Sequence, residues 1–174
     1  AYHADNGIFR AYNWVMACKA KGQSLSFAGI NAHHQNSIVE RHIRTLQELA
    51  RTMLIHANHR WPKAVTANLW PYALCMANDV LCETPNMQHP HKLTPQQVFS
   101  KTNVLLNPKQ WKPFGCPTYV LNNTLQSGTG IFHKWEQISG VGIYIGQSPQ
   151  HARSVALVLD RRTGLVSPQF HIKF

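Results

Sequence analysis

Apolar positions recur along this chain with two different periods, and the change from one to the other divides it. Ala1 to Asp5 is a short extended run that Asn6-Gly7 turns away, which leaves Asp5 at a strand end. From about Phe9 to Lys21 the period is helical, with Phe9, Tyr12, Met16 and Ala20 in line and Gly22 as the stop. Leu25 and Phe27 alternate with Ser24 and Ser26, predicting a short strand, and the polar stretch from Gly29 to Asn36 predicts a loop. The longest periodic segment opens at Asn36-Ser37-Ile38-Val39-Glu40-Arg41 and runs to about Asn58, with Val39, Ile43, Leu46, Ala50, Met53 and Ala57 gathered on one side. Trp61-Pro62 breaks that pattern. A second helix is expected from about Trp70 to Cys82, with Pro71 tolerated in its first turn and a buried stripe of Trp70, Ala73, Leu74, Ala77 and Leu81. Residues 83–93 read as a loop, and Thr94-Pro95-Gln96-Gln97 opens a short capped helix.

Beyond a polar connector at 101–113 the helical period gives way to strands at Thr118–Leu121, Gly140–Gly146, Ser154–Asp160 and Leu165–Phe174. The chain is therefore expected to be α/β to about residue 100 and a small all-β barrel over 114–174, a barrel being the economical way to cover strand edges. Alternation puts Val141, Ile143, Ile145, Val155, Leu157 and Leu159 in the barrel core, and a piece starting near residue 112 is expected to fold by itself.

Charge narrows the partners. Seventeen Lys and Arg face seven Asp and Glu, a net +10 spread over the whole length, about +3, +4 and +3 in residues 1–58, 59–116 and 117–174. An even basic excess points to a polyanion, nucleic acid first, and excludes a disordered basic tail. Cys18, Cys75, Cys82 and Cys116 show no paired spacing, and His33-His34 and His89-Pro90-His91 lack cysteine partners at finger spacing, so neither a redox dithiol nor a zinc finger is expected. No signal peptide or membrane span is read, and the opening residues look like the middle of a fold, with more expected upstream.

On the long helix, Arg44, Gln47 and Arg51 fall within about 40° of Glu40 at 100° per residue. A carboxylate at a helix start with guanidinium groups trailing on the same face suits a metal-bound phosphodiester. The same residues admit a plainer reading, because Ser37-x-x-Glu40 is a capping box in which Glu40 returns a hydrogen bond to the cap. Asp5 at a strand end and Glu40 in a first helical turn are both on rigid elements, where oxygen ligands can hold divalent ions for in-line displacement at phosphorus. Mg2+ or Mn2+ fits such ligands better than zinc. Two acids are a thin set, so a third is expected upstream.

Asp5-Asn6-Gly7, Gln35-Asn36-Ser37-Ile38-Val39-Glu40-Arg41, Arg44-Thr45-Leu46, Glu48 and Ala50-Arg51-Thr52-Met53-Leu54 together resemble the integrase core of copia-type LTR retrotransposons. Leu69-Trp70, Ala77-Asn78, Thr94-Pro95, Phe114-Gly115-Cys116-Pro117 and Tyr119-Val120 continue the likeness across nearly the whole chain. The resemblance implies an incomplete RNase H-like core followed by an SH3-like β-barrel. It implies a triad of two aspartates and a glutamate with Mg2+ or Mn2+, of which Asp5 is the second member and Glu40 the third. It further implies joining of element DNA to target DNA, a homo-oligomeric parent, and a place in the nucleus or a retrotransposon particle; the helix that carries Glu40 adds the expectation that Arg41, Arg44 and Arg51 hold phosphates. Two departures stand out: Ser37 replaces the family's usual glycine, and Ile8-Phe9 replaces its usual acidic or aromatic pair. Since the first acid would precede residue 1, this stretch alone is expected to be inactive, and a non-catalytic nucleic-acid-binding relic is the alternative.

Overall fold

The computed structural model describes residues 1–4, 7–29, 36–102, 111–128 and 133–174. It forms two compact units, Ala1–Thr45 and Leu46–Phe174. The break falls inside the long helix, whereas the sequence pattern sets its divisions at a connector over 101–113. Part of that connector, 103–110, lies outside the described residues.

In the first unit, β1 (Tyr2–Ala4) and β2 (Leu25–Phe27) pair in parallel, Tyr2 opposite Leu25 and Ala4 opposite Phe27, with α1 (Tyr12–Ala20) as the crossover between them. A parallel pair needs such a crossover, and the helix supplies it. The ends are closed by Tyr2 N–H donating to Ser24 O (2.8 Å) and Ala28 N–H to Ala4 O (2.9 Å). The helix departs from its expected inner face. Phe9 lies in a 3-10 turn before it, Tyr12 and Met16 are exposed, and Cys18 is the residue that is buried. Trp14 instead meets Tyr2 and Phe9 edge-on, with ring centroids 6.3 and 6.1 Å away.

Helix α2 (Ser37–Arg60) begins in the first unit and ends in the second. Its apolar stripe is used only in part: Val39 and Ile43 are exposed, while Leu46, Ala50, Met53 and Ala57 join the core of the second unit. That core also takes Val65 and Leu69, then Ala73, Met76 and Ala77 from α3 (Trp70–Glu83). Trp70 is exposed rather than buried, since it is the first residue of its helix and the stripe begins a turn later. The short helix α4 (Pro95–Ser100) has a complete capping box: Gln97 N–H donates to Thr94 Oγ1 (3.1 Å), and Gln97 Oε1 accepts from Thr94 N–H (2.9 Å).

Strands β3 (Pro117–Leu121), β4 (Ser139–Gln147), β5 (Ala156–Asp160), β6 (Val166–Gln169) and β7 (Ile172–Lys173) form one antiparallel sheet in the order β6-β5-β4-β3-β7, with α5 (Asn123–Gln126) between β3 and β4. The two edge strands are separated in the chain by Phe170 and His171 alone. Three Cα steps reach about 11 Å, whereas four inter-strand gaps in a flat sheet span about 19 Å. The sheet must therefore roll until its edges approach. The expected last strand is thus two strands on opposite edges, and Pro168 sits on an edge where its missing N–H costs no ladder bond.

Ile143, Tyr144, Ile145 and Leu159 are all at most 2% exposed and share one cluster with Ala57, Ala73, Met76 and Ala77. Burial on successive residues of β4 means that both of its faces are covered. Val141, expected in the core, is exposed, and Val155 and Leu157 are only half-buried, while Val158 is buried. Polar links reinforce the joint between helices and sheet. Trp61 Nε1 donates to Gly115 O (2.8 Å), the Arg161 guanidinium lies 4.6 Å over the Trp61 ring, and Glu83 pairs with Arg153 while accepting from Trp111 Nε1 (2.9 Å).

Burial pushes the Tyr144 phenol up to about 12, with the nearby Asp79 and then Cys116 adding to the shift. A raised folded-state value means that the stability tied to this phenol is fully present below its ordinary value near 10 and is lost as pH climbs through 12. Alkaline unfolding is expected to remove about 3 kcal/mol across that window, read by tyrosinate absorbance alongside circular dichroism. Asp79→Asn removes the second contributor and is expected to lower the pH at which the folded phenol ionises, read by tyrosinate absorbance; an unshifted ionisation would remove Asp79 from the phenol's surroundings.

Candidate metal and nucleic-acid site

Glu40 stands in the first turn of α2, its side chain exposed. Helix N-termini favour carboxylates because the first amides point their N–H groups outward. What matters chemically is whether that carboxylate is already engaged. A capping box would place Ser37 outside the helix, but Ser37 is its first residue, and among the described residues neither Ser37 nor Glu40 has a side-chain hydrogen bond or ion pair. The contrast with Thr94 and Gln97, where both bonds are made, is direct.

Arg41 and Arg44 are exposed on the turns that follow, and Arg51 is exposed further along, in the part of α2 that belongs to the second unit. None of them has an acidic partner among the described residues, although Arg44 is four residues from Glu40. The Thr45 and Thr52 hydroxyls donate to the carbonyls of Arg41 and Glu48 (3.0 and 2.8 Å), so they are used within the helix.

Asn36, which opens the sequence motif and stands immediately before α2, holds a buried Oδ1 with no hydrogen-bond partner among the described residues. An asparagine at a helix entrance reads as a cap, and nothing in the sequence separates a satisfied amide from an orphaned one.

Asp5 lies outside the described residues, and it follows directly on β1. Among the described residues no three His, Cys, Asp or Glu side chains gather as a metal-binding group. Glu40 by itself offers hard oxygen ligands of the kind that Mg2+ or Mn2+ takes, and the two histidines whose rings approach in the second unit, His89 and His91, have no third ligand among the described residues. No helix among the described residues is long and apolar enough to cross a membrane.

No protein-family model matches the chain, and no curated protein matches it. Among solved structures, a simian T-cell lymphotropic virus intasome in complex with the PP2A regulatory subunit B56 gamma is a distant neighbour, 18% identical with a TM-score of 0.40. The alignment covers 98% of this chain and 56% of that one, so the chain spans little more than half of its neighbour. A likeness of that degree does not define a family.

Proposed function

We propose that this chain is part of a retrotransposon integrase of copia type, a polynucleotidyl transferase that joins element DNA to target DNA. The observation that carries the reading is the exposed Glu40 carboxylate, unengaged among the described residues, at the start of a 24-residue helix that also bears Arg41, Arg44 and Arg51. The parallel β1-α1-β2 unit, with Asp5 following β1 in sequence, fits an incomplete RNase H-like core, and the rolled five-stranded sheet fits an SH3-like module. In this reading Asp5 and Glu40 would hold Mg2+ or Mn2+, and the chemistry supplied there would be charge stabilisation of the attacking and leaving oxygens at phosphorus. Glu40 offers its oxygens from the first turn of a long helix, free of competing hydrogen bonds or ion pairs among the described residues. The three arginines hold phosphates and fix the duplex without reading its sequence. The parent protein would bring two DNA ends together as a homo-oligomer, in the nucleus or a retrotransposon particle.

Titration of duplex DNA at several salt concentrations tests this on the full chain. The Arg44→Ala, Arg51→Ala double variant is expected to weaken binding of any sequence alike and to flatten the salt dependence by about 0.9 per lost phosphate contact. An unchanged slope would take this face out of the DNA surface. Glu40→Gln is expected to abolish any Mg2+ dependence of binding while leaving metal-free affinity equal or slightly higher, because a negative charge has left the phosphates. If Glu40 serves only to cap its helix, Glu40→Gln is nearly silent in both titrations, because glutamine serves that position too.

A further inference from the structure

The second unit contains a cleft of about 610 Å3 between α2, the C-terminal half of α3 and residues 111–114, walled by Met53, Met76, Val80, Trp111 and Phe114. A concavity of this size with apolar walls and few polar groups is the usual form of a binding site. Its polar groups fall into two sets. The Thr52 and Thr84 hydroxyls donate to the carbonyls of Glu48 and Val80 (2.8 and 2.6 Å), and Glu83 is occupied by Arg153 and by Trp111 Nε1. That leaves Lys112, with the His56 imidazole, among the lining residues, neither with a carboxylate partner among the described residues; Lys112 Nζ lies 5.3 Å from the Phe174 ring centroid.

The surrounding charge is one-sided too. Residues 46–174 carry twelve Lys and Arg against five Asp and Glu, and two of those acids, Glu83 and Asp160, are already paired. We propose that this cleft docks a segment of a partner protein that brings bulky apolar side chains to the walls and carboxylates to Lys112, that is, an acidic amphipathic peptide. Apolar walls give the unburied driving force, and Lys112 selects the sign of the partner's charge. Nucleic acid suits the cleft poorly, because base edges carry donors and acceptors that the walls would leave unmatched.

Calorimetric titration of the full chain with synthetic peptides tests the proposal. The probes are a helix-forming peptide of leucine and glutamate, its counterpart with lysine for glutamate, and its counterpart with serine for leucine. The first is expected to bind, the second about tenfold more weakly and the third not at all. Lys112→Glu is expected to lower the affinity of the first about tenfold with an unchanged circular dichroism spectrum, and Val80→Glu in the wall to abolish it. Because Val80 is half-buried and its replacement can disturb folding, the Lys112 variant keeps the test decisive. Equal binding of the acidic and basic peptides, retained binding of the serine peptide, full affinity in Lys112→Glu, or complete displacement of the peptide by a duplex oligonucleotide each overturns the proposal.

Discussion

A protein cut to residues 112–174 is expected to lack a cooperative unfolding transition and to give a poorly dispersed amide spectrum. Its strands are all present, so the expectation rests on what covers them. Ile143, Ile145 and Leu159, each at most 2% exposed, lie in one cluster with Ala57 from α2 and with Ala73, Met76 and Ala77 from α3. Each large apolar side chain returned to water costs about 1.5–3 kcal/mol, so exposing these three costs about 5–9 kcal/mol. A unit of about sixty residues seldom has more than about 3–5 kcal/mol of stability in hand. The cut also removes Trp61, which donates to Gly115 O, and Glu83, which accepts from Trp111. Residues 46–174 are expected to unfold as one cooperative body. A dispersed spectrum from 112–174 alone would show that the sheet holds its own core.

Why this joint was hidden in the sequence follows from what periodicity can report. Alternation marked β4 and β5 as strands and named Val141, Ile143, Ile145, Val155, Leu157 and Leu159 as inward residues; Ile143, Ile145 and Leu159 are buried, Val155 and Leu157 are half-buried, and Val141 is exposed. Tyr144 and Val158 fall on the opposite face of that alternation and are buried too, because β4 and β5 are covered on two sides. A period of two distinguishes faces without saying how many of them meet water. The α2 stripe has the same ambiguity. Its six apolar positions are equivalent in the sequence, and only those from Leu46 onward enter the second unit's core. The switch of the last strand from one sheet edge to the other was equally silent, for Phe170-His171 has neither the glycine nor the turn pair that advertises a change of direction.

The candidate site was legible to a different degree. Glu40 could be singled out because a carboxylate at a helix start followed by cations on one face is a pattern in the sequence itself. Whether Glu40 caps its own helix could not be read, since Ser37-x-x-Glu40 and Thr94-x-x-Gln97 are the same motif on paper. In space the second makes both capping bonds and the first makes neither with described residues. That difference depends on where each helix starts by a single residue, which is finer than propensity resolves.

Gly115→Ala is expected to destabilise the second unit by about 3 kcal/mol or more. Gly115 has φ +81°, in the left-handed region where an L-residue carries about 1–2 kcal/mol of strain. A methyl group there would also sit 2.5 Å from Ala57 Cβ and 3.0 Å from Ala57 Cα. Ala57 is 1% exposed in the middle of a helix turn, so the obstacle is backbone that cannot step aside as a flexible side chain would. Nor can the glycine move away freely, because its N–H donates to Tyr144 O (2.8 Å) and its carbonyl accepts from Trp61 Nε1 (2.8 Å). Overpacking of this kind adds about 1–3 kcal/mol. Gly164→Ala is the matching control: its φ is +70°, but a Cβ there meets nothing within 4 Å, so it is expected to show the strain alone. The loss is read as a fall in the urea midpoint at constant slope, and as a drop in Tm of roughly 6–12 °C for a chain of this size. Adding Ala57→Gly to Gly115→Ala is expected to relieve the overlap while introducing about 1 kcal/mol of helix penalty, so the double variant should recover part of the loss. If Gly115→Ala costs no more than Gly164→Ala, α2 does not press on this turn, and the close packing of helix against sheet at Gly115 is wrong.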